Sequence, residues 1–221
     1  KKGQDIPRIN IDELPSPYLM GLFDKFFDGK LTPLIHTTRG CPFSCAFCTE
    51  GAAYYNKVDQ RVNELEKEME YISSRVNGTP IRDLFISDAN FGMFKQDFEK
   101  AAIIANCQEK YNYPKHIHVS TGKNQKARVV EIVKSLNGAV SMAASLQSTN
   151  EEVLKNDSRS NISIEHLSEA GKKASTNNTG TYSEIILGLP GDNIDAHRQS
   201  LKDVVEMRFD NIRMYQLIML P

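Results

Sequence analysis

Three cysteines stand close together in the first quarter of the chain, at a spacing that suits a metal cluster. Cys41, Cys45 and Cys48 are separated by three and then by two residues. Gly40 and Pro42 fit a loop that turns sharply. Three thiolates on such a loop can hold three irons of a cubane cluster and leave the fourth iron without a nearby thiolate. Because an open metal position is a reactive one, the spacing favours an iron–sulfur site that does chemistry.

Two other interpretations of the same cysteines stay open at this point. They can bind zinc with a fourth ligand from His36 or Cys107, or they can be buried thiols. A structural zinc site usually pairs two couples of ligands, and the sequence contains no second couple. Cys107 lies among apolar residues such as Ile103 and Ile104 in a predicted helix, so we expect it to be a core thiol.

Composition limits the classes of partner and the compartment. The 221 residues include 27 Lys and Arg against 28 Asp and Glu, a net charge of −1. A nucleic-acid-binding surface normally shows a basic surplus, so we expect no nucleic-acid partner. No apolar stretch approaches the length of a membrane-spanning helix, so we expect no membrane partner. Cysteines crowded into one short loop are unlike a secreted disulfide framework and indicate the reducing cytoplasm.

Strands and helices alternate along the chain from residue 34 onward. In the first helix, Leu65, Met69, Ile72 and Val76 share one apolar face, and we expect the charged run Glu64–Glu70 to form its solvated face. Strands joined by helical crossovers must lie parallel, since a hairpin cannot join parallel neighbours. We expect strands near residues 34–38, 84–87, 116–120, 139–147, 182–187 and 212–218, and helices near 62–76, 95–111, 124–137, 150–156, 161–176 and 194–208.

The predicted fourth strand indicates the shape of this sheet. Val140 and Met142 fall on one face of the strand, whereas Ser145 and Gln147 fall on the other. An open sheet covered by helices on both sides should be apolar on both faces. One polar face therefore predicts an α/β protein whose sheet is curved or closed into a partial barrel. A polar ligand would lie on the concave side, at the carboxyl ends of the strands.

The cysteine loop resembles the cluster-binding motif of the radical S-adenosylmethionine (SAM) superfamily, including the aromatic Phe47 before the last cysteine. The resemblance implies that Cys41, Cys45 and Cys48 bind a [4Fe-4S] cluster whose fourth iron is chelated by SAM. It covers residues 34–221 and implies a partial (β/α)6 TIM-like barrel of parallel strands with outer helices. Phe47 would then lie near the adenine of SAM, which an aromatic face suits.

Residues 1–33 differ from the rest of the chain because four prolines interrupt them. We interpret them as a linker packed on the domain, with a short amphipathic piece around residues 18–27. The segments Asp12–Tyr18 and Leu31–Leu34 resemble the join between a cobalamin-binding domain and the barrel in the cobalamin-dependent branch of the superfamily. This implies cobalamin as a further cofactor, held by a domain that would precede Lys1 and is absent from these 221 residues.

The resemblance also implies contacts to SAM at the end of the second strand. The family often has Gly-Gly-Glu there, which receives the SAM amino group. This chain has the segment Ser87–Gly92 instead, in which Asp88 and Asn90 are the substitutes. The same two residues are equally typical of a turn and a helix cap.

Further contacts to SAM are implied after the later strands. Gln147 and Ser148 resemble the ribose and carboxylate contacts, and an amide offers both a donor and an acceptor. Arg159 would clamp the methionine carboxylate, unless it faces solvent. Gly188 resembles the glycine on the adenine side, where a missing side chain lets the backbone approach the ligand. A plain turn explains the residues around Gly188 equally well.

The polar face of the predicted third strand carries candidate substrate contacts. His118 and Ser120 alternate onto this face, although a histidine satisfied by its structural neighbours is the commoner outcome. Glu184 and Tyr215 are similar candidates. The sequence assigns no catalytic side chain for the step that follows hydrogen abstraction.

The resemblance implies an enzyme in which reductive cleavage of SAM gives a 5′-deoxyadenosyl radical that abstracts hydrogen from a small-molecule substrate. An external one-electron reductant such as flavodoxin or ferredoxin would supply the electron. In the cobalamin-dependent branch the leading outcome is methyl transfer, which makes the enzyme a transferase. The alternatives are a methylthiotransferase-like or other cobalamin-independent radical SAM enzyme, and a non-enzymatic iron–sulfur or zinc-binding module.

Overall fold

The computed structural model describes residues 9–159 and 180–218. It contains six parallel strands that stand side by side in chain order. They form two three-stranded sheets, which meet at a bridge between Ile117 and Val140. The strands are β1 (Leu34–Ile35), β2 (Asp83–Ile86), β3 (His116–His118), β4 (Met142–Gln147), β5 (Thr181–Leu187) and β6 (Asn211–Gln216).

Helices connect these strands and bury their apolar faces against the sheets. Leu65, Met69 and Ile72 of the first helix are fully buried, as their spacing predicts. The prediction of an α/β partial barrel of six parallel strands with outer helices is confirmed. No helix in the described ranges is long and apolar enough to cross a bilayer. The helices are α1 (Leu65–Val76), α2 (Asp97–Tyr111), α3 (Lys126–Ser135), α4 (Glu151–Asn156) and α5 (Ile194–Glu206); the helix predicted near 161–176 lies outside the described residues.

The first strand is shorter than predicted, and this changes the root of the cysteine loop. The sequence predicts a strand over residues 34–38, whereas β1 ends at Ile35. Thr38 and Arg39 instead pair antiparallel with Gln60 and Asp59. About twenty residues separate the two halves of this pair, so no short hairpin signal marks it in the sequence. The pair closes the base of the loop that carries the three cysteines.

One charged residue of α1 lies in the core, contrary to the prediction that Glu64–Glu70 forms a solvated face. Glu68 is 2% exposed. Its carboxylate accepts hydrogen bonds from Arg61 at 2.7 Å and from the Ser16 hydroxyl at 2.5 Å. Glu68 follows Leu65 by three positions, so the helical period puts it on the apolar face, and the arginine and serine make its burial tolerable.

The described part of the N-terminal segment, residues 9–33, packs on the barrel. The Asp12 carboxylate accepts hydrogen bonds from the backbone N–H groups of Val62 and Asn63, both at 2.9 Å, just before α1. Tyr18 is buried in the main core, edge-on to Phe23. The amphipathic piece expected around residues 18–27 consists of turns and one short 3-10 helix, Asp24–Phe26.

A buried ion pair supports the residues between β1 and the cysteine loop. Lys100 of α2 is completely buried, and its ammonium lies 3.1 Å from the carboxylate of Asp97. The same ammonium donates to the carbonyl oxygen of Thr37, to the hydroxyl of Thr38 at 2.7 Å and to the amide oxygen of Gln60 at 2.6 Å. The Lys100 ammonium therefore links α2 to both strands of the antiparallel pair at the base of the loop.

Replacing this cation should destabilise the protein strongly. In Lys100→Met, the Asp97 carboxylate stays buried without its partner, so we expect the free energy of unfolding to fall by about 3–5 kcal/mol. Urea denaturation followed by circular dichroism measures the change. Lys110→Met is the matched control, because Lys110 lies on the exposed side of α2 in a surface pair with Glu70. An equal effect of the two substitutions would contradict this account.

Candidate functional site

The cysteine loop is a compact series of backbone turns that follows β1. The Cys41 N–H donates to the carbonyl of Tyr55 at 2.9 Å, and the Cys48 N–H donates to the carbonyl of Cys45 at 3.1 Å. Cys41 and Cys45 are buried, whereas Cys48 is exposed. Burial of the sulfur still raises the pKa of the Cys48 thiol, although backbone hydrogen bonds from Glu50 and Gly51 act in the opposite direction.

Two of the three sulfurs accept hydrogen bonds from polar side chains of other elements. The Asn90 side-chain amide lies 3.2 Å from the sulfur of Cys41. The Arg159 guanidinium lies 3.6 Å from the sulfur of Cys45. N–H donors and a cation stabilise thiolates, which are the form of cysteine that binds metals. This donor set therefore fits a cluster held by deprotonated cysteines.

Within residues 9–159 and 180–218, the geometry does not supply the fourth ligand that the zinc interpretation requires. His36 is exposed, and its ring nitrogen is 2.9 Å from the carbonyl oxygen of Thr38. Cys107 is buried among the core residues of α2, as expected for a core thiol. Among the described residues, no three His, Cys, Asp or Glu side chains converge on a single metal ion. In a cubane cluster each thiolate binds a different iron, so the cysteines need not converge on one ion.

A cavity of about 950 Å³ runs from the cysteine loop along the concave face of the barrel. Alternate residues of the strands point into it, which is the polar face that the pattern of the fourth strand predicts. The apolar residues that alternate with them along the strand, such as Ala144 and Leu146, are buried on the other face. Side chains that line the cavity include Asp83, Phe85, Asp88, Asn90, His116, His118, Ser120, Ser145, Gln147, Arg159, Tyr182, Glu184, Arg213 and Tyr215.

The two candidates after β2 have different surroundings. The Asp88 carboxylate is 2% exposed and accepts three hydrogen bonds, from the N–H and hydroxyl of Thr37 and from the N–H of Thr38, at 2.5–3.0 Å. It thus fixes the chain that leads into the cysteine loop. Asn90 is the residue whose side chain reaches the cysteines. The assignment of either residue to the SAM amino group stays a prediction.

Gln147, the last residue of β4, and Ser148, which follows it, lie on opposite sides of the sheet, as neighbours in an extended chain do. The register of β4 against β5 shifts between Ser145 and Gln147, and Gln147 has a left-handed φ of 68°. The Gln147 side chain lines the cavity, and its buried oxygen has no hydrogen-bond partner among the described residues. Ser148 lies behind the strand instead, with its hydroxyl 3.3 Å from that of Ser200. An unpaired acceptor in the cavity fits a ligand hydroxyl such as that of a ribose.

Arg159 joins the cysteine loop to the cavity wall. Its guanidinium donates to the carbonyl oxygen of Ser145 and lies 5.8 Å from the ring centroid of Phe47. The position beside both the loop and the cavity suits a contact to an anionic ligand. A second cation is near, because Lys126 donates to two backbone carbonyls beside the same cavity wall. Burial and then the charge of Arg159 lower the pKa of Lys126 to about 8.

The remaining candidates divide between the cavity and its edge. The His118 ring nitrogen lies 2.9 Å from the Asp83 carboxylate, and its ring stacks on Phe85 in the cavity wall. Ser120 also lines the cavity. Gly188 has a φ of +85°, and an added side chain there would meet no atom within 4 Å. The left-handed backbone of the turn therefore explains a glycine at this position. The approach of this backbone to adenine stays a prediction.

The profile of the radical SAM superfamily matches residues 35–204. The chain is 34% identical over 220 residues to the 2-(S-pantetheinyl)-carbapenam-3-carboxylate methyltransferase of Streptantibioticus cattleyicolor. It is 32% identical over 231 residues to the cobalamin-dependent radical SAM methyltransferase TokK of Streptomyces tokunonensis. These alignments take in 95% and 100% of this chain but only 32% and 33% of the two relatives. The chain thus spans about a third of the length of these relatives.

Two solved structures share the fold. The radical SAM methyltransferase TsrM from Kitasatospora setae superposes with a TM-score of 0.69 at 15% identity, over 87% of this chain and 37% of that protein. Coproporphyrinogen III oxidase (HemN) from Escherichia coli superposes with a TM-score of 0.67 at 17% identity, over 95% of this chain and 49% of that protein. At these identities the likeness concerns the fold alone.

Sequence reasoning did not identify Gly51, which packs against the cysteine loop. A side-chain carbon added there would clash with the backbone of Cys45, although the backbone of Gly51 is not left-handed. Only the folded loop shows this contact. We expect Gly51→Ala to displace Cys45 and to lower the iron bound per chain after anaerobic reconstitution. Ala53→Ser adds one atom at an exposed position of the same loop and should bind iron normally. Equal iron contents in the two variants would contradict the prediction.

Proposed function

Because the chain belongs to the radical SAM superfamily, we propose that Cys41, Cys45 and Cys48 hold a [4Fe-4S] cluster and that the adjoining cavity holds SAM. When bound, these two groups supply a one-electron cleavage that gives a 5′-deoxyadenosyl radical, which takes hydrogen from a substrate. The observation that carries the proposal is the position of the cysteine loop. It stands at one end of a polar cavity, with N–H donors on two of its three sulfurs.

The residues of the chain bind, orient and shield these groups. In the proposal Arg159 contacts the methionine carboxylate of SAM, and the unpaired oxygen of Gln147 accepts a hydrogen bond from its ribose. Phe47 offers an aromatic face to the adenine. His118 and Ser120 contact a small-molecule substrate farther along the concave face. An external one-electron reductant such as flavodoxin or ferredoxin delivers the electron.

Cobalamin-dependent methyl transfer is the outcome that the relatives favour. Both curated relatives are named as methyltransferases, and one of them is named as cobalamin-dependent. We place cobalamin on a domain outside these 221 residues, joined through residues 1–33. A longer protein that carries this chain should then bind about one cobalamin and transfer labelled methyl groups from SAM to it. If the longer protein cleaves SAM but binds no cobalamin, the cobalamin-independent alternative is favoured instead.

Reconstitution with iron and sulfide under anaerobic conditions tests the site itself. We expect a brown protein that releases 5′-deoxyadenosine from SAM under reduction. Cys45→Ala should abolish both properties, because it removes one of three ligands. Cys107→Ala is the matched control, since it removes a thiol in the core of α2, away from the loop. A colourless zinc protein, or a Cys45→Ala variant that keeps its cluster, would refute the proposal.

A further inference from the structure

The part of the cavity beyond the cysteine loop contains two opposite charges that the proposed cofactors do not explain. Glu184 of β5 and Arg213 of β6 both line the cavity. Their backbones are register partners on neighbouring parallel strands, which places them about 4.8 Å apart. Despite this proximity they form no ion pair with each other among the described residues; each side chain is held by a different neighbour.

Glu184 differs from the other carboxylates along the strand walls of the cavity. Asp83 is paired with His118, and Asp88 accepts three hydrogen bonds from the chain before the cysteine loop. Glu184 accepts one hydrogen bond, from the Ser145 hydroxyl at 2.5 Å. No Lys, Arg or His in the described ranges forms an ion pair with it. A half-buried carboxylate with one neutral donor can still accept hydrogen bonds from a cationic ligand.

Arg213 is held over an aromatic ring instead of against a carboxylate. Its guanidinium carbon lies 3.9 Å from the ring centroid of Tyr182. This arrangement leaves the N–H groups of a guanidinium able to bind an anion, because a cation–π contact uses the flat face of the group. Burial, and then the charge of Glu184, raise the pKa of Tyr182, whereas Arg213 lowers it. Both charges therefore act at the same point of the cavity wall.

We propose that Glu184 and Arg213 form a two-point site for a substrate that carries a protonated amine and a carboxylate a few bonds apart. The amine binds Glu184, which is half-buried, and the carboxylate binds Arg213, which is exposed at the cavity edge, so that the ligand makes one charge-assisted hydrogen bond to each residue. The two backbones are about 4.8 Å apart and both side chains line one cavity, so a ligand whose two charged groups are a few bonds apart can reach both. This inference rests on the proposed function, because it assigns the substrate class of the same cavity.

Three small probes of matched size test the two contacts separately. β-Alanine carries both charges, propionate carries only the carboxylate, and ethylamine carries only the amine. Their dissociation constants are measured by ligand-observed NMR on the cluster-reconstituted protein with SAM bound. We expect β-alanine to bind at least about tenfold more tightly than either of the other probes, because only β-alanine makes both charge-assisted contacts.

Substitutions assign each contact to its residue. Glu184→Gln should weaken β-alanine about tenfold and leave propionate unchanged, whereas Arg213→Gln should weaken β-alanine and propionate and leave ethylamine unchanged. Glu131→Gln on α3 and Arg198→Gln on α5 are matched controls at exposed positions. Chelation of β-alanine by the cluster would be the same in all of these variants, so it cannot imitate the expected pattern.

The inference is overturned if the three probes bind equally, or if Glu184→Gln leaves the preference for β-alanine intact. A preference for ethylamine or for propionate alone would likewise overturn the two-point site. Release of 5′-deoxyadenosine from SAM by the unaltered protein is measured on the same sample. Its absence counts against the proposed function, whereas the selectivity among the probes decides the substrate class without requiring turnover.

Discussion

The cysteine loop depends on buried charges at the point where it leaves the first strand. Asp88 accepts three hydrogen bonds from Thr37 and Thr38, and Lys100 donates to both of these residues as well. Charges that are buried and paired cost little while their geometry is kept, but they are expensive to disturb. Thr37 and Thr38 are therefore held by two buried charged groups, which fixes the point from which the cysteine loop starts.

The same face of the barrel that holds the loop provides the ligand cavity. Strand residues alternate between the apolar core and the concave side, so the polar residues of five strands, β2 to β6, line one continuous space. Asn90 and Arg159 line the cavity in contact with the cysteine sulfurs, whereas Glu184 and Arg213 line it from the last two strands. The first group suits the cofactors common to the superfamily, and the second is where we propose that a substrate is selected.

The elements that the sequence predicts well are those with a local signal. The apolar spacing of Leu65, Met69 and Ile72 predicts α1, and the alternation through β4 predicts a polar concave face, because both depend on the period of the backbone. The cysteine spacing similarly predicts that three thiols lie on one loop, since they are neighbours in the chain; that they bind a cluster stays a proposal.

The features that the sequence does not predict depend on residues far apart in the chain. The burial of Glu68 and Lys100 depends in part on distant partners, because Ser16 is 52 positions from Glu68 and Thr37 is 63 positions from Lys100. The register of β4 against β5 shifts between Ser145 and Gln147, where the backbone of Gln147 is left-handed, and such an irregularity has no signal in the residue types alone.

Electron paramagnetic resonance of the reduced, reconstituted protein tests the central claim most directly. An iron without a protein ligand should bind SAM, so adding SAM should shift the g-values of the reduced [4Fe-4S] signal. A reduced cluster whose spectrum is the same with and without saturating SAM would show that all four irons are already ligated, and it would contradict the account.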